Sequence, residues 1–306
     1  MNATFLMKDL GACANFLGVR LIRNRESRQI HLVQENYAIK VLQTFKLESA
    51  LPVTTPMDVS ALTVMIPYEG EASALEIKRY QSAIGSLMFP ASYTRPDLSF
   101  TASLLARFSH NPSPTHWKAA QRAIRYFGAT KKLGITLGGT TTQPNSLDYH
   151  GFSDSDYAGD VDTRKSTSGY VFFMANGPIS WKSARQNAVT LSSTEAEYYA
   201  LSETAKEAKW HQNLLDQLGY TGSDVHPVTL FGDNTGALSL AENPEHHRRA
   251  KHIDIRQHFI RQEVQNGSIQ LAYVPTSKMA ADGLTKPLNS VRHLAFLDQL
   301  GMEEWD

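Results

Sequence analysis

A single cysteine, Cys13, stands among the 306 residues. One thiol cannot close an internal disulfide or build a thiolate zinc site, and a chain of this kind is expected in a reducing, intracellular compartment. Long apolar runs are missing as well. None approaches the ~18 residues that a membrane helix needs, and the first residues lack the charged-then-apolar pattern of a secretion signal. No membrane partner is expected. Internal repeats and low-complexity tracts are absent too, and the net charge is zero.

That zero hides an asymmetry. Residues 1–140 hold 16 Lys+Arg against 9 Asp+Glu, whereas residues 141–306 hold 14 against 21. A basic half joined to an acidic half suggests one part that holds a polyanion and another that gathers carboxylates around metal. Apolar residues make up 42% of the chain and charged residues 20%, the balance of a globular protein long enough for two cores.

The Gly-, Thr-, Pro- and Ser-containing stretch 134–146 is the expected boundary. Before it, 16–33 reads as two strands around the polar turn 24–28, and helices are expected over 35–45, 77–90, 96–109 and 114–129, with the proline-bearing 49–70 as a loop. On the last of these helices Trp117, Ala120, Ile124 and Phe127 share one face. Lys118, Arg122 and Arg125 form a second stripe that could follow phosphates or simply face water.

After the boundary, a strand is expected over 147–153. A hairpin should follow, 169–175 and 178–182, turning at Asn176–Gly177. A long helix over 194–218 and a strand over 228–232 come next, then helices over 234–241 and 253–265, a strand over 269–274 and a short helix over 277–284. The order implies an α/β fold, a mixed five-stranded sheet with flanking helices, preceded by a mainly helical region with a short β-hairpin.

Four carboxylates follow from that layout. Asp154 and Asp233 sit where two strands stop, where ligands of α/β sheets gather. Singly, each reads as well as a turn residue or helix cap. Glu197 has two readings of equal weight. Thr194-Glu195-Ala196-Glu197 scans as a capping box, yet Glu197 also heads the stripe Leu201, Ala205, Ala208, Leu215 and Leu218 expected to face the sheet. Asp282 alone reads as a surface residue of the last helix. Taken together they form a D-E-D-D series of hard oxygen donors, which suits Mg²⁺ or Mn²⁺ and needs such ions to relieve its own repulsion.

The segments GFSDSDYAGD, TRKSTSGYVFF, LSSTEAEYYAL, LFGDNTGALSL, KHIDIRQHF and KMAADGLTKPL resemble, in order, the RNase H domain of copia-type LTR retrotransposons, over residues 147–288. The earlier segments MKDLGACANFLGVRLIRN and YQSAIGSLMFPASYTRPDLSF, followed by HWKAAQRAIRYFG, are similar to the end of the reverse transcriptase palm, with its primer-gripping hairpin, and to the thumb just upstream. The resemblance implies a palm-end and thumb remnant over 1–140, an RNase H-like domain over 147–288 and a C-terminal tail over 289–306. It implies cleavage of the RNA strand of RNA/DNA hybrids with two Mg²⁺ ions, for which Mn²⁺ can substitute. Asp154 would bridge both ions, Glu197 and Asp233 would complete the leaving-group side, and Asp282 would hold the ion that positions water.

The resemblance also implies that Ser192, Ser193, Thr194 and Asn234 touch nucleic acid beside that site, the first three at the 2′-hydroxyls that set RNA apart from DNA. The remaining palm and fingers of the polyprotein are implied partners, with the cytoplasm as location and the nucleus open through the basic cluster His246–His252. Two departures qualify the resemblance. The paired Asp needed for polymerisation occurs nowhere in the chain, so no DNA synthesis is expected. The loop before Asp282, Pro275-Thr276-Ser277-Lys278, lacks the histidine that many cellular RNases H carry there. The competing reading is a non-catalytic nucleic-acid-binding relic. An integrase-type nuclease is disfavoured because its Glu comes last, after two Asp.

Overall fold

A computed structural model describes residues 11–139, 148–220, 227–242 and 259–305. Two five-stranded sheets organise it. The first contains β1 (Asn15–Phe16), β2 (Val19–Asn24), β3 (Gln29–Val33), β4 (Leu133–Gly138) and β10 (Met302–Glu304), all antiparallel. The second has the order β7-β6-β5-β8-β9, with β5 (His150–Asp156), β6 (Thr167–Met174), β7 (Gly177–Arg185), β8 (Val228–Gly232) and β9 (Ile269–Tyr273). Here β5, β6 and β7 are antiparallel, whereas β8 runs parallel to both β5 and β9. This is the expected mixed five-stranded sheet with flanking helices.

Helix α5 (Ser193–Gln217) covers the second sheet. Its Leu201, Ala205, Ala208 and Leu215 are buried with Tyr149, Phe172, Val228 and Leu230 in one core. Leu218, expected on the same stripe, is 64% exposed, because the helix ends one residue earlier and Leu218 is only its C-cap. The helical layer contains α1 (Glu35–Phe45), α2 (Ala74–Tyr93), α3 (Ser99–Ala106) and α4 (Pro114–Ala129). Ala120, Ile124 and Phe127 of α4 are fully buried, on the face their spacing foretold. Beyond β8 lie α6 (Thr235–Glu242), α7 (259–265) and α8 (Ser290–Gln299).

Several expectations are corrected. The first part of the expected linker is strand β4, whose Leu133 and Ile135 are buried. Its glycines allow close approach rather than a loop: a Cβ on Gly134 would lie 2.2 Å from the Leu32 carbonyl. The expected tail folds into α8 and β10, and β10 closes the first sheet by pairing with β4. The hairpin turns at Ala175–Asn176, both at positive φ, one residue before the expected position, as a two-residue primed turn requires. The expected helix over 277–284 is two 3-10 turns, Thr276–Lys278 and Asp282–Leu284. The helix expected over 253–265 is described only from 259 onward, and the basic cluster His246–His252 lies outside the described residues.

The two halves share buried groups. A core of Leu133, Ile135, Val171, Phe173, Leu284, Phe296 and Met302 takes side chains from both sheets and from α8. Beside it runs a polar network with no comparable exposure. Arg95 makes a bidentate pair with Asp97, at 2.9 and 2.7 Å, and also reaches the Thr130 carbonyl and hydroxyl. Tyr126 donates to Asp97 at 2.7 Å, and its hydroxyl lies 2.7 Å from Nε2 of His293 on α8. Burial works against both charges, yet Arg95 still holds the Asp97 carboxyl below its ordinary range.

Replacing Asp97 with Asn strands a fully buried guanidinium and is expected to cost about 3–5 kcal/mol. Urea unfolding of the full chain checks this. A loss under about 1 kcal/mol, the size typical of an exposed pair, would show that the network does not hold the layers together.

Candidate functional site

Strand β5 brings Asp154 to the site from within its length, not from its end as expected, since Asp154 pairs with Gly169 of β6. The parallel pairing of β5 with β8 stops at Phe152 and Phe231, and Asp233 follows β8 directly. Both aspartates therefore stand where two adjacent strands have separated. Glu197 enters from the first turns of α5. One carboxylate oxygen from each of Asp154, Glu197 and Asp233 lies within 4.8 Å of the others.

The helix caps explain why these three are available. The N-cap of α5 is Ser192, not Thr194. Its hydroxyl accepts from the Glu195 amide, and the Glu195 carboxylate accepts from Leu191 N. That pair satisfies the helix start, which leaves Glu197 to point at the sheet. The first turn of α6 is capped in the same way by Asn234, whose side-chain oxygen accepts from Ala237 N at 3.0 Å. Asp233, expected as a cap, is thereby released. In both helices a neutral neighbour takes the local role and a carboxylate is left for the cluster.

Asp154 is buried, and Thr285 Oγ1 sits 2.7 Å from its Oδ2. Thr276 donates to Asp233 Oδ2 at 2.7 Å. Desolvation, opposed by Thr285 and Lys286 and reinforced by Asp282 and Asp233, pushes the Asp154 carboxyl up to about 6. Desolvation and repulsion from Asp154 and Asp233 push Glu197 up to about 9, although Ser155 N donates to it. Three converging carboxylate oxygens, two of them on groups whose ionisation is suppressed, fit a hard divalent cation, which would replace the missing neutralisation.

Asp282 does not join that group. It stands beside the cluster in a 3-10 turn, ion-paired with Lys286 at 2.5 Å and with Arg292 at 3.3 Å. Burial opposes the Lys286 charge, but its hydrogen bond to Asp282 and the fields of Asp282 and Asp154 raise its pKa. The turn is seated by Gly169, where a Cβ would come within 2.8 Å of Leu284 and 2.9 Å of Thr285.

The residues expected to touch nucleic acid divide into two groups. Ser192, Ser193, Thr194 and Asn234 lie at the start of α5 and α6, and Thr194 and Asn234 both flank Gly236. Lys118, Arg122 and Arg125 lie on α4. Arg122 donates to the Thr55 hydroxyl and Arg125 to the Leu51 carbonyl, so both anchor the preceding loop. Lys118 is exposed. Lys286, Arg292, Thr276 and Thr285 were not foreseen. Lys286 alone had a legible signal, its place four residues after Asp282.

No family model matches the chain. It is 38% identical over 94% of its length to a retrovirus-related Pol polyprotein from transposon TNT 1-94 of Nicotiana tabacum. It is 37% identical over 99% of its length to that from transposon RE2 of Arabidopsis thaliana. The alignments cover 21% and 20% of those relatives, so the chain spans about one fifth of their length. It is also 31% identical, over 69% of its length, to an uncharacterized mitochondrial protein of Arabidopsis thaliana, of which it covers 83%. Among solved structures, an RNase H1 isolated from compost is similar at 16% identity and a TM-score of 0.35, covering 45% of this chain and 93% of that one. No helix among the described residues is long and apolar enough to cross a membrane.

Because the folded chain keeps protons on Glu197 up to about 9 and on Asp154 up to about 6, it binds more protons than the unfolded chain above the ordinary carboxylate range. Its stability in chelator is therefore expected to fall as pH rises from 5 to 9. Thermal melts check this: Glu197→Gln should flatten the fall, and Mn²⁺ should raise the melting temperature more at pH 8 than at pH 6, since ligation needs the ionised form. Equal stabilisation at both values would contradict the assignment. The melting point of Gly169→Ala should respond less to Mn²⁺, because the added methyl displaces the turn that carries Thr285 and Asp282.

Proposed function

Because the chain belongs to the copia-type retrotransposon Pol polyprotein family, we propose that its second half is an RNase H-type endonuclease that hydrolyses the RNA strand of RNA/DNA hybrids. The observation that carries this reading is the convergence of Asp154, Glu197 and Asp233 at the separated ends of β5 and β8, with both alternative capping roles filled by other residues. Residues 147–288 form the nuclease unit. Residues 1–140 supply a palm-end and thumb remnant that works with the palm and fingers of the longer polyprotein. DNA synthesis by this chain alone is not part of the reading, because two adjacent aspartates are absent from its sequence.

Asp154, Glu197 and Asp233 would hold divalent cations, Mg²⁺ with Mn²⁺ as a substitute, and Asp282 would contribute from its neighbouring turn. Two such ions, when bound, supply an activated water and neutralise the leaving oxygen of a phosphodiester. The chain's own residues prepare that site. Thr285 and Thr276 orient Asp154 and Asp233 through single short hydrogen bonds. Ser155 N fixes one Glu197 oxygen. Gln186 ties the first turn of α5 to β6, donating to Ser168 Oγ at 2.9 Å and to the Ala196 carbonyl at 3.0 Å, so Glu197 is held at a set distance from Asp154.

Hybrid recognition falls to the starts of α5 and α6. Ser193 is exposed and Thr194 half-buried at the lip of the cluster, where hydroxyls can meet the 2′-hydroxyls of an RNA strand. Exposed backbone amides at a helix start also favour phosphate. The role of Arg122 and Arg125 as phosphate contacts is weakened by their bonds to the 51–55 loop, and Lys118 is the remaining candidate on that stripe.

The test is incubation of the full chain with an end-labelled RNA/DNA hybrid and Mg²⁺, beside Asp233→Asn and a chelator control. RNA cleavage lost by a factor of about 10² or more in the variant, and absent with chelator, is expected. Binding of the hybrid with intact RNA in both Mg²⁺ and Mn²⁺ would favour the non-catalytic binding relic instead.

A further inference from the structure

Asp282 is buried and matched to cations on both oxygens, which sets it apart from the other three carboxylates. Lys286 Nζ lies 2.5 Å from Oδ1 and Arg292 Nη2 lies 3.3 Å from Oδ2, with the Asp282 side chain only 8% exposed. The two cations have different origins. Lys286 follows in the same short segment, whereas Arg292 comes from α8. The next residue of α8, His293, is the one that bonds Tyr126 in the buried Arg95–Asp97 network. The position of Arg292 is therefore tied to the helical layer through His293 as well as, through Phe296, to the core shared with the sheet that carries the cluster.

A divalent ion among Asp154, Glu197 and Asp233 meets three carboxylates whose described hydrogen bonds come from the Thr285 and Thr276 hydroxyls and the Ser155 backbone. An ion that also needs Asp282 must break one or both ion pairs and approach the Lys286 ammonium, a like charge that already acts on Asp154 and Glu197. Resting on the reading that the cluster takes divalent cations, we propose that Lys286 and Arg292 clamp Asp282 and make the two ion positions unequal. The first ion seats on Asp154, Glu197 and Asp233 with the clamp shut, and the second seats only when the clamp opens. Arg292 is the half-exposed arm, at 51% side-chain exposure, and Lys286 the inner one, at 37%. The outer arm is planar and forked, suited to hold a carboxylate edge. The inner arm is a point charge that blocks the approach to it.

The test uses Mn²⁺ alone, titrated into the full chain and followed by the electron paramagnetic resonance signal of the free ion. Wild type is expected to take one Mn²⁺, with a second weaker by about tenfold or more, a coupling within the usual range between linked sites. The double variant Lys286→Met, Arg292→Gln should tighten the second ion by about tenfold and narrow the gap between the two ions, since the Lys286 charge also bears on Asp154 and Glu197. Arg292→Gln alone, at a half-exposed position that folding tolerates, should shift the second ion in the same direction. Asp282→Asn should leave one ion only. Two ions of equal affinity in wild type, or a second ion unchanged in Arg292→Gln and in the folded double variant, would overturn the clamp. If neither wild type nor Asp282→Asn binds any Mn²⁺, the metal-site reading itself fails, and the clamp with it.

Discussion

Arg95 and Asp97 are both fully buried, and the pair they form is the constraint on which the packing of the helical layer against the rest depends. A guanidinium removed from water needs its charge matched and its donors filled. Asp97 supplies two oxygens, and Thr130 at the end of α4 supplies a carbonyl and a hydroxyl. The loop after α2 and the end of α4 can meet those demands only in one relative position. Tyr126 and His293 extend the same requirement to α8. Such a network tolerates little slippage, since an unmade bond in it leaves a buried polar group without a partner. Apolar packing around Leu98, Phe127 and Ile124 adds cohesion but no comparable directionality.

From that anchor the effects pass to the carboxylate end of the second sheet. His293 holds α8, α8 carries Arg292, and Arg292 meets Asp282. On the other side of the junction, Arg107 of the helical half and Arg185 of β7 share Asp160 at 2.7 and 2.8 Å, just beyond β5. Trp181 of β7 donates to the Ala91 carbonyl of α2. The basic first half and the acidic second half thus meet through the Arg107–Asp160 ion pair, just beyond β5, and through the Trp181 hydrogen bond. The asymmetry of charge along the chain is expressed partly as internal contact, not only as a surface offered to a polyanion.

The site is assembled by releasing groups from local duties. Ser192 with Glu195, and Asn234, satisfy the starts of α5 and α6. Glu197 and Asp233 then have no backbone amide of their own helix to serve. What remains is a concentration of negative charge that burial makes expensive, visible in the raised Asp154 and Glu197 carboxyls. A fold that tolerates such a cluster without a cation gives up stability there, and a bound divalent ion is the natural means of recovering it. Lys286 and Arg292 provide part of that neutralisation from within the chain, and they spend it on Asp282.

Much of this was legible from residues alone. The alternation of β5 and β8, the long stripe of α5 and the D-E-D-D order depend on local periodicity and chain order, and those survive in any one-dimensional reading. The choice between capping and ligation at Glu197 and Asp233 was open because two neighbouring residues could each serve the same amides, and only the helix start decides which one does. Strand β4 hid behind its glycines, which signal a loop when the partner strands are unknown. Segment 289–306 looked like a tail because its role, closing a sheet formed by residues near the other end of the chain, leaves no local pattern. By itself the sequence determined which carboxylates stand together as candidates and in what order they come. Only the tertiary structure decided that three of the four carboxylates converge while the fourth is held by Lys286 and Arg292, because convergence depends on strand register and on where α8 docks, and both are set by contacts between residues far apart in the chain.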